Sequence, residues 1–165
     1  MRGASKIIEN IFNPNLAGAK KRDYLRLRVL LWCAFIFALS SVPNHTGRTV
    51  DFETLLGTLE FSARKLCHIL EYTILMILTT RALEGDPGKP APRAFILSFL
   101  FVLLFSSSDE WHQTFVFGRN GTPFDVFLDM LGALAGAFFC YWKDRRKRHE
   151  EKKASVRQGP ARVEN

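Results

Sequence analysis

The chain has 165 residues and a net charge of +7, with 47% apolar residues and fifteen Phe, yet its mean hydropathy is zero. That length holds one domain, and three Cys, an odd number without metal-finger spacing, support neither a disulfide framework nor a zinc ribbon. The basic tail "KDRRKRHEEKK" lacks the interleaved aromatics of a nucleic-acid platform, so no nucleic-acid partner is expected.

Residues 1–28 carry seven Lys or Arg against two acids. Within them "SKIIENIF" puts Ile7, Ile8, Ile11 and Phe12 on one helical face, which suits a segment lying along a membrane interface. The first apolar segment, 25–42, contains "VLLWCAFIFAL" and ends in "ALSSVP". A basic start before such a run is also the pattern of a secretory signal, but the basic region is long and its residues anchor a retained helix equally well. "NHT" at Asn44 matches a glycosylation sequon, a frequent chance match.

The second segment, 65–82, opens with Lys65, His68 and Tyr72 at i, i+3 and i+7, and Glu71 lies one turn from His68. The third, 94–115, is apolar until it closes on "SSSDEWHQ". A tight turn, "TFVFGRNGTPF", then leads into the fourth segment, 124–142. There Asp125, Asp129, Gly132, Gly136 and Cys140 follow one face, while Phe127, Leu131, Leu134 and Phe138 occupy the other. "GALAG" is a small-xxx-small pair that admits a second backbone.

Each segment has 18 to 22 residues, close to the ~20 needed to cross ~30 Å of hydrocarbon. A soluble four-helix bundle is the alternative, but "AFILSFLFVLLF" has no polar stripe for solvent. With both termini inside, the inner segments hold nineteen of the 23 Lys and Arg, a strong positive-inside bias. The expected fold is all-α: an integral membrane four-helix bundle, N-in and C-in. Its parts are a basic cytoplasmic segment 1–24, a transmembrane domain 25–142 and a basic cytoplasmic tail 143–165.

This orientation gathers ionisable residues from three helices in the outer leaflet. Glu71 and Asp129 would lie roughly 7–10 Å below the interface by helix rise. Charges near the bilayer centre cost about 2.5–3.5 kcal/mol each on insertion scales, so these should face inward and pair. Asp109 and Glu110 are ~100° apart around their helix, so their roles should differ. The expected site has His68, Asp109, Glu110 and Asp129 as proton-exchanging, catalytic candidates. Lys65, Glu71, Tyr72, His112, Gln113, Arg119 and Asp125 are ligand-binding candidates. Lys65 and Arg119 would hold a phosphate or carboxylate. His68-x-x-Glu71 with Asp109 and Asp129 also allows a divalent metal, though such spacing is common, and the sequence leaves metal and cofactor unknown.

"KLCHILEY", "DEWHQTFVFGR" and "DVFLDMLGALAG" resemble the VanZ-like family of small bacterial membrane proteins, whose namesake is associated with teicoplanin resistance. The resemblance covers about residues 25–142, with Phe117 where a Pro is common and Thr122 where a Ser is common. It implies a bacterial inner-membrane location and a cell-envelope role linked to glycopeptide tolerance, and it names no reaction. The leading expectation is a protein that binds or modifies an envelope lipid or its head group, with membrane lipid as partner. A proton- or metal-coupled transporter and a helix-packing scaffold are the alternatives.

Overall fold

The computed structural model describes residues 14–43, 52–84 and 92–158, with side chains from residue 22 in the first stretch and 65 in the second. The segment Ile7–Phe12, the sequon at Asn44 and residues 85–91 lie outside the described residues. Among the described residues there are four helices and no strand: α1 (Pro14–Ser40), α2 (Phe52–Leu83), α3 (Pro92–Gln113) and α4 (Pro123–Gln158). The all-α expectation holds.

Three described helical stretches are long and apolar enough to cross a membrane: Lys65–Leu83, Pro92–Gln113 and Pro123–Arg157. The first expected segment does not reach that standard. Its uninterrupted apolar part, residues 29–39, is about 16 Å long at helical rise, and Asp23, Arg26 and Arg28 precede it. All four helices begin before their expected segments, α1 at Pro14 and α3 at Pro92. α2 begins at Phe52, so Lys65 lies well inside a helix, and α4 continues unbroken through residue 142 into the basic tail.

The surface and interior are inverted relative to a water-soluble protein. Leu30, Leu31, Leu66, Leu70, Ile96, Leu104 and Phe138 are each at least 60% exposed. Asp109, Glu110, Asp125, Asp129, Glu84 and Asp144 are all buried. Soluble proteins rarely bury Asp or Glu or expose so much apolar area, and a lipid surround accounts for both.

The most extensive interface is between α2 and α4. Lipid tails are as apolar as Leu, so small residues and polar bonds must hold such helices together. A Cβ at Gly132 would meet the Ile69 carbonyl, and one at Gly136 would lie 2.5 Å from the Thr73 carbonyl oxygen. Thr73 Oγ1 donates to the Gly132 carbonyl at 2.9 Å, a contact that the close approach makes possible. The expected faces of α4 hold. Asp125, Asp129 and Cys140 are buried, and Phe127, Leu131, Leu134 and Phe138 are 43–69% exposed. Trp32 Nε1 donates to the Glu71 carbonyl at 3.0 Å and ties α1 to α2.

Capping chemistry sets the α3–α4 turn. Thr122 caps α4, with Pro123 at the first helical position and Asp125 N donating to Thr122 Oγ1 at 3.3 Å. Thr122 supplies the same hydroxyl that Ser would, so that departure leaves the cap intact. Gly118 has φ 73°, a left-handed conformation that lets the chain double back. Arg119 follows and reaches α1, where Nε donates to the Val42 carbonyl and Nη2 to the Leu39 carbonyl, both at 3.0 Å.

Candidate functional site

The site is built around the end of α3, whose buried stripe is Ala94, Ser98, Val102, Ser106, Asp109, Glu110 and Gln113. Asp109 and Glu110 are 2% and 5% exposed, so both adjacent carboxylates point inward. They diverge within the interior, as the ~100° between them requires. Asp109 turns toward α1, where Ser40 Oγ donates to its Oδ1 at 2.6 Å. Glu110 turns toward the start of α4, where the Thr122 N–H donates to its Oε2 at 3.3 Å. Gln113 Nε2 bridges them, donating to Asp109 Oδ2 at 3.1 Å and Glu110 Oε1 at 2.9 Å. Arg119 Nη1 donates to Gln113 Oε1 at 3.3 Å, which fixes the amide orientation that serves both acids.

α2 and α4 complete the cluster. Asp129 is fully buried, and Ser106 Oγ donates to its Oδ2 at 2.6 Å. Its Oδ1 lies 3.6 Å from His68 Nδ1, and neither atom has a hydrogen-bond partner. A ring nitrogen of His68 and one oxygen from each of Asp109 and Glu110 lie within 4.8 Å of one another. The Tyr72 hydroxyl is buried close to Ser106 without meeting hydrogen-bond geometry, and Asp109, Asp129 and Glu110 are its charged neighbours. Glu71, 9% exposed, sits in the field of His68, Asp109, Asp129 and Arg119.

The Ser106 bond gives a direct test. Ser106→Ala removes the donor to a fully buried carboxylate and should lower stability by about 1.5 kcal/mol. Ser107 bonds only the Leu103 carbonyl of its own helix, so Ser107→Ala should leave the melting temperature in detergent almost unchanged. Equal effects of the two changes would remove the Ser106–Asp129 bond from the account.

Other expected site residues stand outside this cluster. Lys65 forms an ion pair with Asp125, whose Oδ2 accepts from Thr122 Oγ1 at 3.0 Å. Lys65 and Asp125 therefore form a joint between α2 and the cap of α4. His112 stacks on Phe37 with ring centroids 4.3 Å apart, and its Nε2 lies 3.1 Å from Ser41 Oγ. It faces the end of α1. Beside the cluster a groove of about 410 Å³ is lined by Ser107, Glu110, Trp111, Thr114, Thr122 and Val126.

A second polar group lies toward the other end of the bundle and was not expected from the sequence. Arg81 donates from Nη1 to Glu84 Oε2 at 2.6 Å, and through Nη1 and Nη2 to the two oxygens of Asp144 at 3.1 and 3.0 Å. Burial pushes the Glu84 carboxyl above the ordinary range, and Arg81 pulls it partly back. Between the two groups the interior is apolar at Leu75, Met76, Val102 and Ala133, each at most 1% exposed. Ser40 and Ser106 were also missed as partners of the acids. Ser98, Ser106, Asp109 and Gln113 at i, i+8, i+11 and i+15 form a helical stripe that could have shown Ser106.

Comparison with curated proteins and with solved structures gives no match. The model of the family described as VanZ/LLP1 matches residues 22–144, about three quarters of the chain. The match takes in all the residues of the acid–histidine cluster and the Arg81–Asp144 pair. Together with an apolar outer surface over three helices of spanning length, it makes this chain a membrane protein belonging to the VanZ/LLP1 family.

Proposed function

We propose that this is a four-span bacterial inner-membrane protein with cytoplasmic termini, whose outer-leaflet acid–histidine site binds or modifies the head group of an envelope lipid. A bearing on teicoplanin tolerance follows from the family's namesake. α1 completes the four spans with Arg26 and Arg28 snorkelling to the inner interface. The supporting observation is the groove of about 410 Å³ beside the cluster, with Glu110 on its wall. Trp111, 69% exposed, stands at its edge, as an interfacial aromatic would. A head group entering sideways from the leaflet meets carboxylate oxygens there, which suits hydroxyl- or amine-bearing groups. A phosphate would be held by Lys65 or Arg119 after an exchange of partners. In this reading His68 and Asp129, 3.6 Å apart, exchange a proton with such a ligand by way of Glu110.

Mass spectrometry of gently solubilised protein should find a co-purifying lipid, and Glu110→Ala should lose it. A wild-type protein free of bound lipid would overturn the head-group reading. Orientation is checked by cysteine labelling of intact cells. A cysteine at Asn120 should react with an impermeant reagent and one at Glu150 should not. Labelling at position 150 would reverse the orientation and move the site to the inner leaflet. A transport path is supported less, because Leu75, Met76 and Val102 are buried between the two polar groups and Ser98, Thr79 and Thr80 are too few polar side chains to make it continuous.

A further inference from the structure

The geometry points to a divalent-cation site at His68, Asp109 and Glu110, of the kind that takes a first-row transition metal such as Zn²⁺ or Mn²⁺. It rests on the cluster invoked for the head-group reading, but not on a lipid being bound there. One ring nitrogen and two carboxylate oxygens lie within 4.8 Å of one another, drawn from α2 and α3. Metal–ligand distances of about 2.0–2.2 Å would be reached by moving each atom inward by less than ~1 Å. Side-chain rotation alone covers that. A mixed imidazole and carboxylate set favours Zn²⁺ or Mn²⁺ over Ca²⁺ and Mg²⁺, which prefer oxygen alone. Three protein ligands leave coordination positions open, as in sites that also take water or substrate.

The surroundings have the form of an outer shell. Ligating carboxylates are usually held by hydrogen bonds to their remaining lone pairs. Here Ser40, Gln113 and the Thr122 N–H do this for Asp109 and Glu110. A ligating His usually turns its other nitrogen to a carboxylate. Asp129 Oδ1 stands 3.6 Å from His68 Nδ1, leaving Nε2 as the ligand atom. One further observation points to a missing partner: the Tyr72 hydroxyl, on a fully buried side chain, has no hydrogen-bond partner although Asp109 and Glu110 are among its charged neighbours. A cation also offsets the accumulation of carboxylates in an apolar bundle, which isolated charges do not tolerate.

The test uses full-length protein in lipid nanodiscs, stripped with chelator and titrated with ZnCl₂ and MnCl₂, with the bound ion counted by elemental analysis. We expect one ion per chain. Binding should weaken at least tenfold in Asp109→Asn and Glu110→Gln, which keep the shape of the acids, and 10–100-fold in Asp129→Asn. His149→Ala in the exposed tail should bind as wild type does. No stoichiometric ion in the wild type, equal binding in the Asn and Gln variants, or loss with His149→Ala would each overturn the site. Should those variants fail to fold, pulsed EPR of Mn²⁺ on the wild type decides: a coupled imidazole nitrogen supports the site, and its absence removes it. Lipid content of the stripped protein is measured in parallel, so loss of the metal reading and loss of the head-group reading are told apart.

Discussion

Arg81→Ala should destabilise the protein by about 3–5 kcal/mol, the largest loss expected from any single charge removal here. The guanidinium is the shared partner of Glu84 and Asp144, whose side chains are 3% and 6% exposed. Deleting it leaves two carboxylates buried side by side, with Glu84 Oε1 already lacking a partner. Arg81→Lys keeps the charge but cannot bond both oxygens of Asp144 in parallel, so its loss should be intermediate. Adding Glu84→Gln and Asp144→Asn to Arg81→Ala should recover part of the stability, because the stranded charges are gone. Lys147→Ala is the contrast. Its pair with Glu151 spans 3.8 Å with both side chains more than half exposed, and no measurable change is expected. Thermal unfolding in detergent, followed by helix content, reads all of these. A melting temperature for Arg81→Ala equal to wild type would show that the pair does not hold α2 to α4.

Much of the fold was legible because α4 advertises its faces. Two small residues a turn apart, two acids in register with them and four bulky apolar residues opposite leave one way to orient the helix. Burial of Asp129 and exposure of Phe138 follow that division. The convergence of His68, Asp109, Glu110 and Asp129 was legible for a related reason: an ionisable residue inside an apolar segment has few places to go. Partner choice was not legible. Lys65 has a long flexible stem that reaches several acids, and only the start of α4 decides for Asp125. Ser40 is silent in sequence, because a serine in an apolar run bonds its own helix as readily as a neighbour's. Asp144 sits in "KDRRKRHEEKK" and reads as solvated, yet α4 carries it inward against Arg81. The first segment shows the limit of counting apolar residues. Its helix ends at Ser40, and its charges lie too close to the apolar run for composition alone to mark a span.

Gly132→Leu should be the most damaging substitution on the packed face of α4, and even Gly132→Ala should be costly. A Cβ there meets the Ile69 carbonyl, which is helix backbone and cannot rotate away. The helices would have to separate, and separation would also break the 2.9 Å bond from Thr73 Oγ1 to the Gly132 carbonyl. Overpacking alone costs about 1–3 kcal/mol, and the interhelical bond adds about 0.6 kcal/mol. Gly136→Ala should be somewhat milder than Gly132→Ala, since its nearest backbone contact, the Thr73 carbonyl oxygen at 2.5 Å, is longer than the one at Gly132. Phe138→Leu trades one lipid-facing apolar group for another at a position 69% exposed, and should stay within ~0.5 kcal/mol of wild type. The damage should also reach the site. His68 and Asp129 are carried by the same two helices, one residue before Ile69 and three before Gly132, so parting these helices widens their 3.6 Å separation. Stability and ligand binding should therefore fall together in Gly132→Ala, whereas Arg81→Ala, at the far end of the interface, should lower stability with less effect on binding by the surviving folded protein. Gly132→Ala that melts like wild type would mean that α2 and α4 do not approach this closely in the membrane.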